Sequence, residues 1–152
     1  MGHSISAHAK DIYLSTPEVL RRKLAAARWS TQELVHFLDG MPERLTRAQL
    51  IDLDKAFSFT GNGNAELAQR WYPLTIRSGY LESRPALTAF VEKIGRRKLI
   101  APIYRALVAT PDGLAYAEQI FRRVKPNYHP ITAASIETIL VDARKKLGAR
   151  TP

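Results

Sequence analysis

Four cationic clusters are the residues whose types and spacing invite a chemical reading: Arg21-Arg22-Lys23, Arg96-Arg97-Lys98, Arg122-Arg123 with Lys125, and Arg144-Lys145-Lys146. Cations near the C-terminal end of a helix gain about 0.3–1 kcal/mol each from the macrodipole, so a solvated helix end is the plain account of such a cluster. That account suits the first, third and fourth. The second follows Gly95, a helix stop, and the spacing predicts an extended link there. In an extended link Arg96 and Lys98 project to one side and Arg97 to the other. Two cations converging from a rigid turn between helices would receive a carboxylate, with the planar arginine fork donating two parallel hydrogen bonds.

Other chemistries find no support. His3, His8, His36 and His129 stand apart, and none has a second histidine four residues on, as a helical zinc motif requires. His36 falls inside an amphipathic stretch and reads as a satisfied structural histidine; His129, just before Pro130, reads as a cap or turn residue. Asp52 and Asp54 are two apart, which points them to different faces of a helix and argues against a paired acid and base. Gly61-Asn62-Gly63 is too short to cradle phosphates and reads as a turn. With no cysteine in the chain there is no disulfide framework, thiolate metal site or thiol nucleophile. The expectation is a chain with no catalytic residue and no metal ligand of its own.

The elements that must position these groups are helical. Ser30-Thr31-Gln32-Glu33 is a capping box ahead of Leu34, Phe37 and Leu38, with Gly40 as the stop. Ser15-Thr16-Pro17-Glu18, Thr46 and Thr110-Pro111-Asp112 open further helices. Leu87, Phe90, Val91 and Ile94 follow the i, i+3, i+4, i+7 template. Leu67, Trp71 and Leu74 mark another helix, which Pro73 is expected to kink or split. A last helix begins at Pro130 and runs through Ile136, Ile139 and Leu140. That makes about eight short amphipathic helices and no segment with the period-two alternation of a sheet. The fold class is all-α, with paired antiparallel helices in a bundle or an irregular solenoid.

The formal charge of +9 allows nucleic acid, anionic lipid or an acidic protein surface as partner and selects none of them. No apolar run approaches the ~20 residues of a membrane span. At 152 residues the chain is long enough to fold as one domain without a staple.

From about Trp29 onward the chain resembles the C-terminal helical domain of leukotriene A4 hydrolase and its relatives among the zinc aminopeptidases. The resemblance is carried by Arg70-Trp71, Pro85-Ala86-Leu87, Gly95-Arg96-Arg97-Lys98, Pro102 and His129-Pro130-Ile131-Thr132. It implies a right-handed superhelix of paired antiparallel helices similar to armadillo and HEAT arrays. It further implies that zinc and the catalytic groups lie in upstream domains of a larger peptidase. The implied partners are those catalytic and N-terminal domains, together with the carboxylate of a peptide substrate held by Arg96 and Lys98. No specific nucleic acid and no membrane is implied, and a cytoplasmic setting is favoured. Residues 1–14 are expected to be a flexible segment, in part a cloning remnant, residues 15–142 the helical domain, and residues 143–152 a basic tail. The competing expectation is a free-standing helical-repeat adaptor that binds an acidic protein.

Overall fold

The computed structural model describes residues 29–150, with side chains through Gly148. The cap at Ser15-Thr16-Pro17-Glu18, the first cationic cluster and the expected segment 1–14 lie outside the described residues. Seven α-helices and no strand occur among those described, in agreement with the all-α expectation. They are α1 (Thr31–Asp39), α2 (Arg47–Phe57), α3 (Ala65–Arg77), α4 (Arg84–Lys93), α5 (Arg97–Leu107), α6 (Pro111–Val124) and α7 (Pro130–Arg150). They fall into two compact units, the first ending at Ser83 and the second beginning at Arg84.

In the first unit the local signals act as their spacing predicts. Ser30 and Glu33 close a reciprocal capping box at the start of α1, and Thr46 and Gln49 do the same for α2. Each satisfies two amide donors that a helix N-terminus leaves without partners. Gly40 ends α1. A chain of aromatic contacts then joins the elements: Trp29 against Phe37 and Phe57, Phe57 on Phe59, and Phe59 against Trp71, with centroids 4.9–5.2 Å apart. The loop after α2 is tied from both sides. Asp54 accepts hydrogen bonds from the Thr60 amide at 2.8 Å and the Tyr80 hydroxyl at 3.3 Å, while the Gly61 amide donates to the Tyr72 hydroxyl at 3.0 Å. Gly61 has φ +81°, a conformation that costs glycine little. Asp54 is therefore a structural carboxylate, and Gly61-Asn62-Gly63 is the expected turn.

Three expectations need correction here. Pro73 does not split α3, which runs from Ala65 to Arg77 as one helix. The missing amide deprives one backbone carbonyl of its partner, whereas the ring itself is buried in the core, and the packing outweighs that single bond. His36 is exposed in the last turn of α1, so the reading as a satisfied structural histidine does not hold. The last helix does not give way to a tail at residue 143. It continues to Arg150, which places Arg144, Lys145 and Lys146 within α7 and not in a tail.

In the second unit α5, α6 and α7 pack on one another around Leu99, Ile103, Leu107, Ile120, Val124 and Ile136. Tyr116 of α6 holds the start of α4: its hydroxyl donates to the Arg84 carbonyl at 3.2 Å, and the Arg84 guanidinium lies 4.5 Å from its ring centroid. Arg84 also pairs with Asp112 at 2.7 Å. Charged side chains bridge other helices, Arg123 to Glu92 and Arg144 to Glu118. The closest approach is at Gly113, in the first turn of α6. A Cβ there would overlap the carbonyl of Leu107. Gly148, also helical, has open space around it.

Glycine to alanine in a helix ordinarily stabilises by up to about 1 kcal/mol. Gly148→Ala should therefore be neutral or stabilising in urea unfolding. Gly113→Ala should carry the opposite sign and cost roughly 2–4 kcal/mol, because backbone must move to make room.

Candidate functional site

The cluster at Gly95-Arg96-Arg97-Lys98 sits where α4 gives way to α5. The chain leaves α4 at Lys93, and the Ile94 amide still reaches back to the Phe90 carbonyl at 2.8 Å. Gly95 is exposed, and a Cβ added there would come within 3.7 Å of the Tyr128 ring, an ordinary contact distance. Arg96 is extended, at φ −78° and ψ 114°, and is the N-cap of α5. Its carbonyl accepts from the Leu99 and Ile100 amides at 2.9 and 3.2 Å. Arginine has no oxygen to offer the first amides, and no side-chain cap is made.

The link is thus shorter than the sequence predicts. Only Arg96 is extended, and Arg97 and Lys98 are the first two helical residues of α5. The alternation that would put Arg96 and Lys98 on one side with Arg97 opposite does not occur. Instead Arg97 and Lys98 both line an open groove between α5 and α7, and Arg97 Nη1 donates to Ser135 Oγ at 3.4 Å. Arg96 stands apart at the tip of the helix. It is exposed, and no hydrogen bond or ion pair engages its guanidinium among the described residues. All three cations surround the positive end of the α5 dipole, the end of a helix that favours anions.

A buried hydroxyl relay fixes this tip. Tyr128 donates to the Val91 carbonyl at 2.7 Å, and the Tyr104 hydroxyl lies 3.2 Å from that of Tyr128. Because Tyr128 spends its proton on Val91, Tyr104 is the donor of the second bond. Val91 belongs to the last turn of α4, Tyr104 to α5, and Tyr128 to the approach to α7, so one relay ties three elements around the link. His129 completes the approach as a cap residue, as expected, with its Nδ1 accepting from the Ile131 amide at 3.2 Å. Burial pushes the pKa of both tyrosines upward. The bond to Tyr128 adds to the rise at Tyr104, whereas at Tyr128 the bond from Tyr104 opposes it.

Sequence reasoning found the cations but not the tyrosines that hold them. Tyr104 had a legible signal, since it sits on the apolar face of α5 with Ile100, Ile103 and Leu107; its partner Tyr128 is 24 residues away and is brought there only by folding. Among the described residues no three His, Asp or Glu side chains gather in a way that could hold a metal ion. None of the described helices is long and apolar enough to cross a membrane.

The model of the family described as "Leukotriene A4 hydrolase, C-terminal" matches residues 29–140. Leucine aminopeptidase 2 of Neurospora crassa is 28% identical over 114 residues, which cover 73% of this chain and 17% of the relative. Leucine aminopeptidase 2 of Sclerotinia sclerotiorum is 31% identical over 116 residues, covering 72% and 18%. Aminopeptidase B of Mus musculus is 25% identical over 121 residues, covering 77% and 19%. The chain spans less than a fifth of the length of these relatives.

Two measurements test the relay. A tyrosine with a raised pKa keeps its proton in the folded state to a higher pH than in the unfolded chain, so its contribution is complete below about pH 10 and is lost above it. Unfolding free energy should be insensitive to these groups through neutral pH and fall steadily above pH ~10. Tyr128→Phe, which leaves the Val91 carbonyl without a donor and Tyr104 without an acceptor, should cost about 1–3 kcal/mol in urea unfolding at pH 7.

Proposed function

The chain belongs to the leukotriene A4 hydrolase C-terminal family, and on that premise we propose that it is the non-catalytic C-terminal domain of a larger zinc aminopeptidase. In this reading it packs on the other domains of the same polypeptide and lends the substrate cleft a basic anchor for the free carboxylate of a peptide. The observation that carries the anchor is Arg96, exposed and unengaged at the positive tip of α5. A guanidinium so placed can offer two parallel donors to a carboxylate while the helix dipole adds attraction. It stays charged at any working pH. Lys98, two residues into the helix, adds a second and less directional charge. The zinc and the groups that activate water are assigned to the upstream domains, and no step of the hydrolysis is assigned to a side chain described here.

The clamp around the link supports the same reading. A carboxylate anchor must hold its place to within a fraction of an ångström, and the Tyr104–Tyr128–Val91 relay gives the tip of α5 a rigid base. The fit is one of position and charge: the cation stands at the end of an element, outside the packed core, where another domain could present a substrate to it.

The test needs the intact parent. A hydrogen bond to a charged group is worth about 1.5–3 kcal/mol, so Arg96→Ala should lower kcat/KM on short free-acid peptides roughly ten- to a hundredfold. The same peptides with an amidated C-terminus never make the contact and should be nearly indifferent. Arg97→Ala, whose side chain is directed to Ser135, should be mild on both. Equal and negligible effects of Arg96→Ala and Arg97→Ala on the free-acid peptide would leave the cluster as a solvated helix end. The chain by itself should release no amino acid from chromogenic amides, and chelator-sensitive release by highly purified protein would contradict the non-catalytic reading.

A further inference from the structure

The groove between α5 and α7 is not used by the anchor at Arg96. Its two ends are marked by different contacts. Arg97 meets Ser135 at one end, while Arg105 and Val108 face Asp142 and Lys146 toward the other, so the two helices run in the same direction along it. From Arg97 to Leu107 the α5 wall is about 15 Å long at 1.5 Å per residue, which equals four or five residues of extended chain at ~3.3 Å each. The cavity at the Arg97 end alone holds about 670 Å³. Its floor is apolar, with Ala101 buried and Ile139 and Val108 half-buried. Its rims carry exposed Arg97, Lys98, Arg105 and Lys146 against a single carboxylate, Asp142.

We infer that this groove binds an extended acidic peptide segment of another protein, with carboxylates at its rims and a small apolar side chain on its floor. The spacing supports that occupant. Arg97 and Lys98 are separated from Arg105 by about 10–12 Å along the helix, and two side chains on one face of an extended chain, four residues apart, are ~13 Å apart. The residue midway between them faces the same way and meets Ala101 and Ile139. A nucleic acid fits less well. Single strands depend on aromatic platforms for stacking, and no aromatic side chain lines the groove. Asp142 would also oppose an unbroken run of phosphates, whereas a peptide with spaced carboxylates can avoid it. The inference is independent of the Arg96 anchor, since that site takes a free α-carboxylate at the tip of α5.

The probe is the acetylated, amidated pentapeptide Glu-Ser-Val-Ser-Glu, which has no free α-carboxylate, titrated into the chain and followed by amide-resolved NMR. Saturable shifts are expected at residues lining α5 and α7. The glutamine analogue Gln-Ser-Val-Ser-Gln should bind at least about fivefold more weakly, and the binding should weaken as salt is raised. Arg105→Glu should lower affinity by roughly fivefold or more through lost attraction and new repulsion. Arg122→Glu, at an exposed position outside the groove, should change it by less than about twofold. Helicity and thermal midpoint, measured on each variant, separate lost binding from lost folding; should Arg105→Glu unfold, Arg105→Gln with the same peptide replaces it. Absence of saturable shifts, shifts confined to other elements, equal binding of the glutamine analogue, or equal losses for Arg105→Glu and Arg122→Glu would each overturn the proposal. So would displacement of the peptide by a short single-stranded oligonucleotide at lower concentration. None of these outcomes bears on Arg96, so failure here leaves the carboxylate anchor standing.

Discussion

The second unit depends on one buried proton. The Tyr128 hydroxyl has a single hydrogen to give and gives it to the Val91 carbonyl, and this forces Tyr104 to act as the donor to Tyr128. Every polar atom in the relay is thereby satisfied in a place where an unmade hydrogen bond would cost more than a made one contributes. The two bonds join the end of α4, the middle of α5 and the approach to α7. Between the first two lies the link that carries Gly95 and Arg96. The position of the basic tip is a consequence of how three apolar helices are pinned, not of any interaction made by the cations.

That tip is locally unfavourable. Cations at a helix N-terminus oppose the macrodipole by about 0.3–1 kcal/mol each, and α5 has a basic N-cap, two basic residues at its start and no side-chain cap. The helix forms because its other face is strongly apolar. Leu99, Ile100, Ile103, Tyr104 and Leu107 are all buried, and their burial far exceeds the penalty at the end. An anion held at the tip would remove the conflict, because it meets the dipole and the cations together.

The first unit has no such conflict. Its polar groups serve the loop after α2, where Asp54, Thr60, Gly61 and Tyr72 bond one another and the Trp71 indole donates to Thr60 Oγ1 at 2.9 Å. Arg70, next to Trp71 in sequence, pairs with Asp39 and Glu66. The Arg70-Trp71 pair that resembles the family pattern is accounted for by packing and bridging within this unit. The residues of the resemblance therefore divide in kind: these hold the scaffold, and Arg96 is presented by it.

What could be read from sequence is what depends on neighbours three or four residues apart. The capping boxes at Ser30 and Thr46, the cap at Thr110, the turn at Gly61 and the helical class all rest on contacts that form wherever the helix forms, so their residue types announce them. The unbroken helix through Pro73, the exposure of His36, the length of α7 and the early start of α5 were decided by packing between distant segments. The last of these is instructive. Gly95 does stop one helix, yet the next begins one residue after Arg96, because burying Leu99 and Ile100 requires the chain to be helical before it reaches them. The cations were legible as residues, but which of them share a side was not, since that depends on a helical phase set by the core and on Ser135 of a helix 38 residues along the chain.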